Sequence, residues 1–151
     1  MTNILETFSN GLGISLVVFL PLVSAIFILF IPKTQEFLIK ITTLASSVVT
    51  FLLSLVVAYQ FDYDKAHTFQ LGNKLRWIES INSNYEIGID GISLPLLLLS
   101  TFISVLAIIY SFEHLPEPVN PKGMMSLILI LETGMNGTFV ALDLILFFVF
   151  F

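Results

Sequence analysis

One acidic residue stands inside an otherwise apolar stretch of this chain, and its side chain is the one best placed to do chemistry. Glu132, in the segment LILETGMNG, lies near the middle of an apolar block, roughly 15 Å from either end if the block is helical. A carboxylate at that depth is costly in lipid, so such residues usually face a bundle interior, a partner or a water path. The sequence supports two interpretations equally: a group that carries protons or coordinates an ion, and a neutral, protonated Glu hydrogen-bonded to a neighbouring helix.

Two aspartates occupy a different kind of position, directly before apolar runs. Asp90 precedes GISLPLLLLS, and Asp143 precedes LILFFVFF. A carboxylate at such a place accepts hydrogen bonds from the first free N–H groups of a helix and complements the helix dipole. We therefore predict that both residues cap helix starts, in preference to a role in transport.

Most kinds of reactive site are missing from the sequence. The chain has no Cys, which excludes disulfides, thiolate metal ligands and Cys nucleophiles. No glycine-rich phosphate loop follows a strand, and the two histidines, His67 and His114, lie in polar connections without the spacing of metal ligands. The sequence also has no basic patch of the kind that binds nucleic acid. The sequence therefore predicts no catalytic residue, no metal site and no nucleic-acid partner for this chain.

The elements that must position these side chains are apolar blocks. The chain is 56% hydrophobic and only 11% charged, whereas soluble proteins average about 25% charged residues. Four blocks are long enough to cross a hydrocarbon core as helices, and we place them at residues 12–31, 37–59, 91–112 and 123–141. The last run, 142–151, is too short to cross. The sequence predicts an all-α integral membrane protein with about four full transmembrane helices and the start of a fifth.

The longest polar stretch, between the second and third blocks, has the pattern of a hairpin. The segments KLRWIES and NYEIGID flank INSN, and their alternation and aromatic content predict two short strands joined by a turn between about Leu75 and Asp90. Trp77 and Tyr85 would suit the boundary between membrane and water. We therefore predict a short β-hairpin in the loop between helices 2 and 3.

The cationic side chains give only a slight preference for one membrane orientation. Three lie around the first turn and in the third connection, and three lie in the second connection on the opposite side: Lys33, Lys40 and Lys122 against Lys65, Lys74 and Arg76. The positive-inside rule weights charges close to helix ends. It therefore leans to an outside N-terminus.

Two segments resemble the chain-4 (chain M) subunits of respiratory complex I. YEIGIDGISLPLLLLSTF, residues 85–102, is similar to the segment that enters the third transmembrane helix of those subunits. LETGMNGTFVALDLILFFVFF, residues 131–151, resembles their fourth helix and the start of their fifth. The order of the blocks and the hairpin before the Asp-Gly pair also agree, so the resemblance extends over nearly the whole chain.

The resemblance implies that this chain corresponds to the N-terminal part of a longer, antiporter-like subunit. Members of the family carry a Glu directly after the aromatic run of the fifth helix and buried lysines in later helices, and neither has a counterpart among these residues. We therefore expect an N-terminal fragment: a truncated gene, a partial reading frame or one piece of a split subunit. Asp90 and Asp143 match motif positions of the family, whereas Glu132 does not match a known position of its proton pathway.

The resemblance also implies a function, cofactors and partners. The family pumps protons as quinone is reduced by NADH or a related donor, and the subunit itself binds no cofactor, because NADH, FMN, iron–sulfur clusters and quinone are bound by partner subunits. We expect a multi-pass protein of a bacterial or archaeal plasma membrane, with an organellar inner or thylakoid membrane as the alternative. Subunits of multi-subunit Na⁺/H⁺ antiporters and of membrane-bound hydrogenases share this architecture, and a membrane scaffold without transport of its own is a further alternative.

Overall fold

Four long helices form most of the structure. The computed structural model describes residues 11–81, 83–112 and 120–151. Within these residues, four helices are long and apolar enough to cross a membrane: α1 (Gly13–Phe30), α2 (Glu36–Gln60), α3 (Ser93–Ser111) and α4 (Pro121–Val140). A two-stranded antiparallel hairpin of β1 (Gln70–Ile78) and β2 (Ser83–Ile89) connects α2 to α3, and a shorter helix, α5 (Leu144–Phe150), follows α4. The predicted fold class is confirmed, including the hairpin between the second and third helices.

The helix boundaries show where local signals outweigh hydropathy. α1 continues through Pro21, which a membrane permits because neighbouring helices, side chains or local adjustments satisfy the backbone groups that a transmembrane proline frees. α4 begins at Pro121, two residues before the predicted block, because the Asn120 side chain caps it by accepting a hydrogen bond from the Lys122 N–H. Proline fits the first helical position, where its missing N–H costs nothing.

The four long helices pack as a bundle. α1 and α3 each pack against both α2 and α4, and α2 also contacts α4 across the bundle. Two apolar clusters fill the interior. One, at the end of the bundle near the hairpin, contains Val17, Val57, Leu97 and Val140. The other, at the opposite end, contains Ala25, Ile39, Ile108 and Leu129.

The hairpin begins earlier than the sequence predicts. β1 starts at Gln70 rather than near Leu75, and its pairing shifts between Gln70 and Asn73, where one extra residue bulges out of the ladder. Leu71 has a positive φ of 53° at this bulge. At Gly72 a Cβ would lie 2.5 Å from the Ile87 carbonyl oxygen. A glycine within a strand usually weakens the strand. Here, however, any larger side chain would clash with the opposite strand, so the close pairing requires glycine.

The connection between α4 and α5 is hydrogen-bonded to the hairpin, and α5 itself packs closely against α4. Ala141 forms a β-bridge with Ile87, and the Leu142 N–H donates to the Glu86 carbonyl at 2.9 Å. Phe150 of α5 lies directly over Gly137 of α4, where any added Cβ would overlap its ring. β2 therefore positions the start of α5, and a glycine lets that helix lie close to α4.

Candidate functional site

A layer of buried polar side chains crosses the middle of the bundle. Along α2, α3 and α4, these polar side chains lie between the residues of the two apolar clusters, which occupy the two ends of the bundle. All are buried: Thr43, Ser46, Ser47, Thr50 and Ser54 on α2, Ser100, Thr101 and Ser104 on α3, and Glu132, Thr133 and Asn136 on α4. We call these residues the polar layer. It concentrates hydrogen-bonding groups where lipid-facing helices have few.

Glu132 is the acidic member of the polar layer. Its side chain is 0% exposed. The Ser47 hydroxyl of α2 donates to Glu132 Oε1 at 3.2 Å, while Oε2 has no hydrogen-bond partner among the described residues. The carboxyl group therefore faces the bundle interior, as a mid-membrane acid is expected to do. Its role in proton transfer stays a prediction.

Asn136, one helical turn beyond Glu132, joins three helices. It accepts a hydrogen bond from the Ser100 hydroxyl of α3 at 3.0 Å and donates to the Val17 carbonyl of α1 at 3.5 Å. The sequence did not show which residues Asn136 would contact, because its hydrogen-bond partners lie more than thirty residues away along the chain. Asn136 could still have been singled out in the way that Glu132 was, as a polar residue deep within an apolar block.

Most hydroxyl groups of the polar layer are bonded to their own helix. Thr43, Thr50 and Ser104 each donate to the carbonyl four residues earlier. Between helices, Ser54 and Thr101 share a hydrogen bond at 3.0 Å. These side chains are small and internally satisfied, which allows close approach of the helices.

Asp143 links α5 to the hairpin. Its Oδ1 accepts hydrogen bonds from the Ile145 and Leu146 N–H groups at 2.9 and 3.0 Å and from the Ser83 hydroxyl at 3.0 Å, and its Oδ2 accepts from the Asn84 N–H at 3.3 Å. The bond from Leu146, followed by those from Asn84, Ser83 and Ile145, holds the pKa of Asp143 below its ordinary value, against the opposing effect of burial. An ionised carboxylate therefore connects two elements.

Asp90 lies three residues before the first residue of α3, and its side chain bonds to backbone N–H groups at the start of that helix. Its Oδ1 accepts hydrogen bonds from the Ile92 and Ser93 N–H groups at 3.1 and 2.7 Å, and its own N–H donates to the Ser93 hydroxyl at 2.9 Å. The bond from the Ser93 N–H is the main reason that the pKa of Asp90 lies below its ordinary value. This reciprocal arrangement satisfies N–H groups that a helix start leaves free.

The histidine that the structure describes lies far from the polar layer, on the surface of the protein. His67 is exposed in the connection between α2 and β1, and His114 lies outside the described residues. Among residues 11–81, 83–112 and 120–151, no group of three or more His, Cys, Asp or Glu side chains is placed to hold a metal ion.

Two lysines have roles that sequence reasoning missed. Lys122 Nζ, at the start of α4, donates to the Leu29 and Ile31 carbonyls at the end of α1, at 2.7 and 2.8 Å. Lys40 Nζ donates to the Phe112 carbonyl after α3, at 2.8 Å. Cations are favourable at helix C-termini, where carbonyls lack partners. The sequence used both lysines only as charges for the membrane orientation, because the carbonyls they bind lie more than seventy residues away along the chain.

Comparison with known proteins agrees with the architecture. Residues 66–138 match the family described as NADH-ubiquinone oxidoreductase chain 4, amino terminus. NADH-ubiquinone oxidoreductase chain 4 of Marchantia polymorpha is 36% identical over 151 residues, which is 100% of this chain and 30% of the relative. Chain 4 of Arabidopsis thaliana is 40% identical over 131 residues, 87% of this chain and 26% of the relative.

A bacterial relative extends the comparison beyond plants. NADH-quinone oxidoreductase subunit M of Rickettsia typhi is 31% identical over 144 residues, 91% of this chain and 28% of the relative. The chain thus spans less than a third of the length of these relatives. With its four membrane-crossing helices, it is an integral membrane protein, and it belongs to the chain 4 (subunit M) family of NADH–quinone oxidoreductases, matching the N-terminal part of that family.

Proposed function

We propose that the chain works as part of a proton-translocating membrane subunit in an NADH:quinone oxidoreductase or a complex that uses a related electron donor. The observation that carries this proposal is the likeness over all 151 residues to a protein named NADH-ubiquinone oxidoreductase chain 4. The relatives' names state the donor and the acceptor, and the proton-translocating role is what the family resemblance implies.

Within that function, the four helices supply a scaffold with a polar interior. Asn136 of the polar layer joins α1, α3 and α4 by hydrogen bonds, and Asp143 fixes the start of α5 against the hairpin. A subunit that moves protons needs hydrogen-bonding groups held at defined depths in the membrane. Among the described residues, α2, α3 and α4 carry such groups in the bundle interior.

The remaining parts of the machinery are assigned to partners. We expect NADH, FMN, iron–sulfur clusters and quinone to bind other subunits of the same assembly, and this chain to bind none of them. The membrane is expected to be a bacterial or archaeal plasma membrane, with an organellar inner membrane or a thylakoid membrane as the alternative.

The proposal is tested in membranes of the organism that encodes the chain. Deleting the coding sequence should abolish the proton gradient driven by NADH or the related donor, while donors that feed quinone by another route should still build one. A tagged chain should also purify together with subunits that contain flavin and iron–sulfur clusters, detected by absorbance and electron paramagnetic resonance. An unchanged NADH-driven gradient, combined with loss of Na⁺-dependent proton exchange, would instead identify an antiporter subunit.

A further inference from the structure

Glu132 is isolated from every compensating charge on the helices around it. Among their described residues, α1 carries no Asp, Glu, Lys, Arg or His, and α3 carries none either. The charged groups of α2 and α4, other than Glu132, are Glu36, Lys40 and Lys122, all near the end of the bundle opposite the hairpin.

The two lysines nearest to the polar layer are engaged elsewhere. Lys40 precedes Ser47 by seven residues, or roughly 10 Å along the helix, and Lys122 precedes Glu132 by roughly 15 Å. Both ammonium groups donate to backbone carbonyls at helix ends. Neither can neutralise an ionised Glu132, and an isolated ionised carboxylate in apolar surroundings takes up a proton instead.

The hydrogen bonds of Glu132 are incomplete in a way that suits a proton carrier. Ser47 donates to Oε1, which fixes the orientation of the carboxyl group. Oε2 has no partner among the described residues, and neither has the hydroxyl of Ser46, the residue that precedes Ser47 on α2. A buried polar atom without a partner is rare, and an internal water is the usual way in which such an atom is satisfied.

From these observations we propose that Glu132 is a protonatable site within the membrane, oriented by Ser47, which exchanges its proton with water that enters the polar layer beside Oε2. When the proton leaves Oε2, a water molecule accepts it, and the negative charge left on the carboxylate is stabilised by the hydrogen bond from Ser47. The reverse transfer restores the neutral acid. The proposal deepens the proposed function and rests on it for its physiological meaning, but the exchange itself requires neither NADH nor quinone.

The test is infrared spectroscopy of the 151-residue chain in lipid bilayers. Of the acidic residues within the four long helices, Glu36 is the exposed first residue of α2 and Glu132 is buried in the bundle interior. A protonated carboxyl band at neutral pH should therefore come from Glu132. We expect such a C=O band in the unmodified chain, its loss in Glu132→Gln, and a shift of the band when H₂O is replaced by D₂O. The amide bands report whether each variant keeps its helix content.

Two serine variants separate orientation from general packing. Ser47→Ala removes the donor to Oε1 and should move the carboxyl band to higher frequency. Ser126→Ala is the matched control, since Ser126 is a buried serine on the same helix as Glu132 with no hydrogen-bond partner among the described residues, and the band should stay in place.

Three results would overturn the proposal. They are the absence of a Glu132-dependent band at neutral pH, a band that does not shift in D₂O while the chain stays folded, and an equal band shift in Ser126→Ala and Ser47→Ala. NADH-driven proton translocation by the whole assembly is a separate measurement, and it tests the proposed function rather than the proton exchange at Glu132. The two failures can therefore be told apart.

Discussion

The contact between Gly137 of α4 and Phe150 of α5 gives a quantitative test of how these two helices meet. A Cβ at Gly137 would overlap the Phe150 ring, with Cδ2 at 2.7 Å. We therefore expect Gly137→Ala to force the ring or the whole of α5 away from α4. Because Asp143 and the hairpin hold the other end of α5, the helix cannot simply slide.

The expected magnitude is the difference between two opposing effects. Replacing a helical Gly by Ala stabilises the helix by up to about 1 kcal/mol, while overpacking a close contact costs about 1–3 kcal/mol. Gly123, near the start of the same helix, has no atom within 4 Å of the position of an added Cβ. Gly123→Ala should therefore give the helix-propensity gain alone, and Gly137→Ala should be less stable than it by about 1–3 kcal/mol.

The assay is the free energy of unfolding of each variant, measured by denaturant titration of the chain in mixed micelles. Phe150→Leu adds a second control, because a smaller side chain leaves room for the new methyl group. In that background Gly137→Ala should cost less, which a double-mutant cycle measures directly. Equal stability of the two alanine variants, or a cost that Phe150→Leu does not change, would refute the account of this contact.

Three further predictions concern the carboxylates. Asp143→Ala should speed hydrogen exchange at the Ile145 and Leu146 amides, whereas Asp143→Asn, which keeps an oxygen acceptor, should affect these amides less; equal effects of both would mean that charge rather than capping matters. Asp90→Ala should lower stability by about 0.5–2 kcal/mol. Because hydrogen bonds lower the pKa of Asp90 from 3.8 in the folded protein, its contribution is fully present above pH 3.8 and is lost as the pH falls from there through the lowered folded-state pKa. The difference in Tm between the two proteins should therefore shrink only below pH 3.8. The 151-residue chain alone should conduct protons across liposomes no faster than its Glu132→Gln variant, since a relay needs several ionisable groups; a robust dye-detected flux that this substitution abolishes would contradict that.

Hydropathy was sufficient to predict the spans, because an uncharged run of this length has few stable conformations other than a helix in lipid. The start of α4 was also readable in principle. The Asn-Pro pair at residues 120–121 is a capping signal followed by a proline at the first helical position, but the apolar block alone placed the start at Gly123.

The contacts between helices could not be read in the same way. Glu132 is conspicuous in the sequence, yet its partner Ser47 lies 85 residues earlier and is one of several similar serines on α2. Which serine faces Glu132 depends on how α2 and α4 are rotated against each other. The hairpin start was missed for a related reason, since Gly72 is explained only by the opposite strand at Ile87.

The bond between Lys122 and the end of α1 bears on how the protein is assembled during synthesis. The two carbonyls that accept this ammonium group leave the ribosome more than ninety residues before Lys122 does. Until the fourth helix inserts, headgroups or water must satisfy them, so the first helix acquires its final anchoring last. A nascent chain arrested before α4 should leave the turn at residues 31–35 open to protease, and a chain long enough to include α4 should protect it. Equal cleavage of the two would show that the lysine does not anchor this turn.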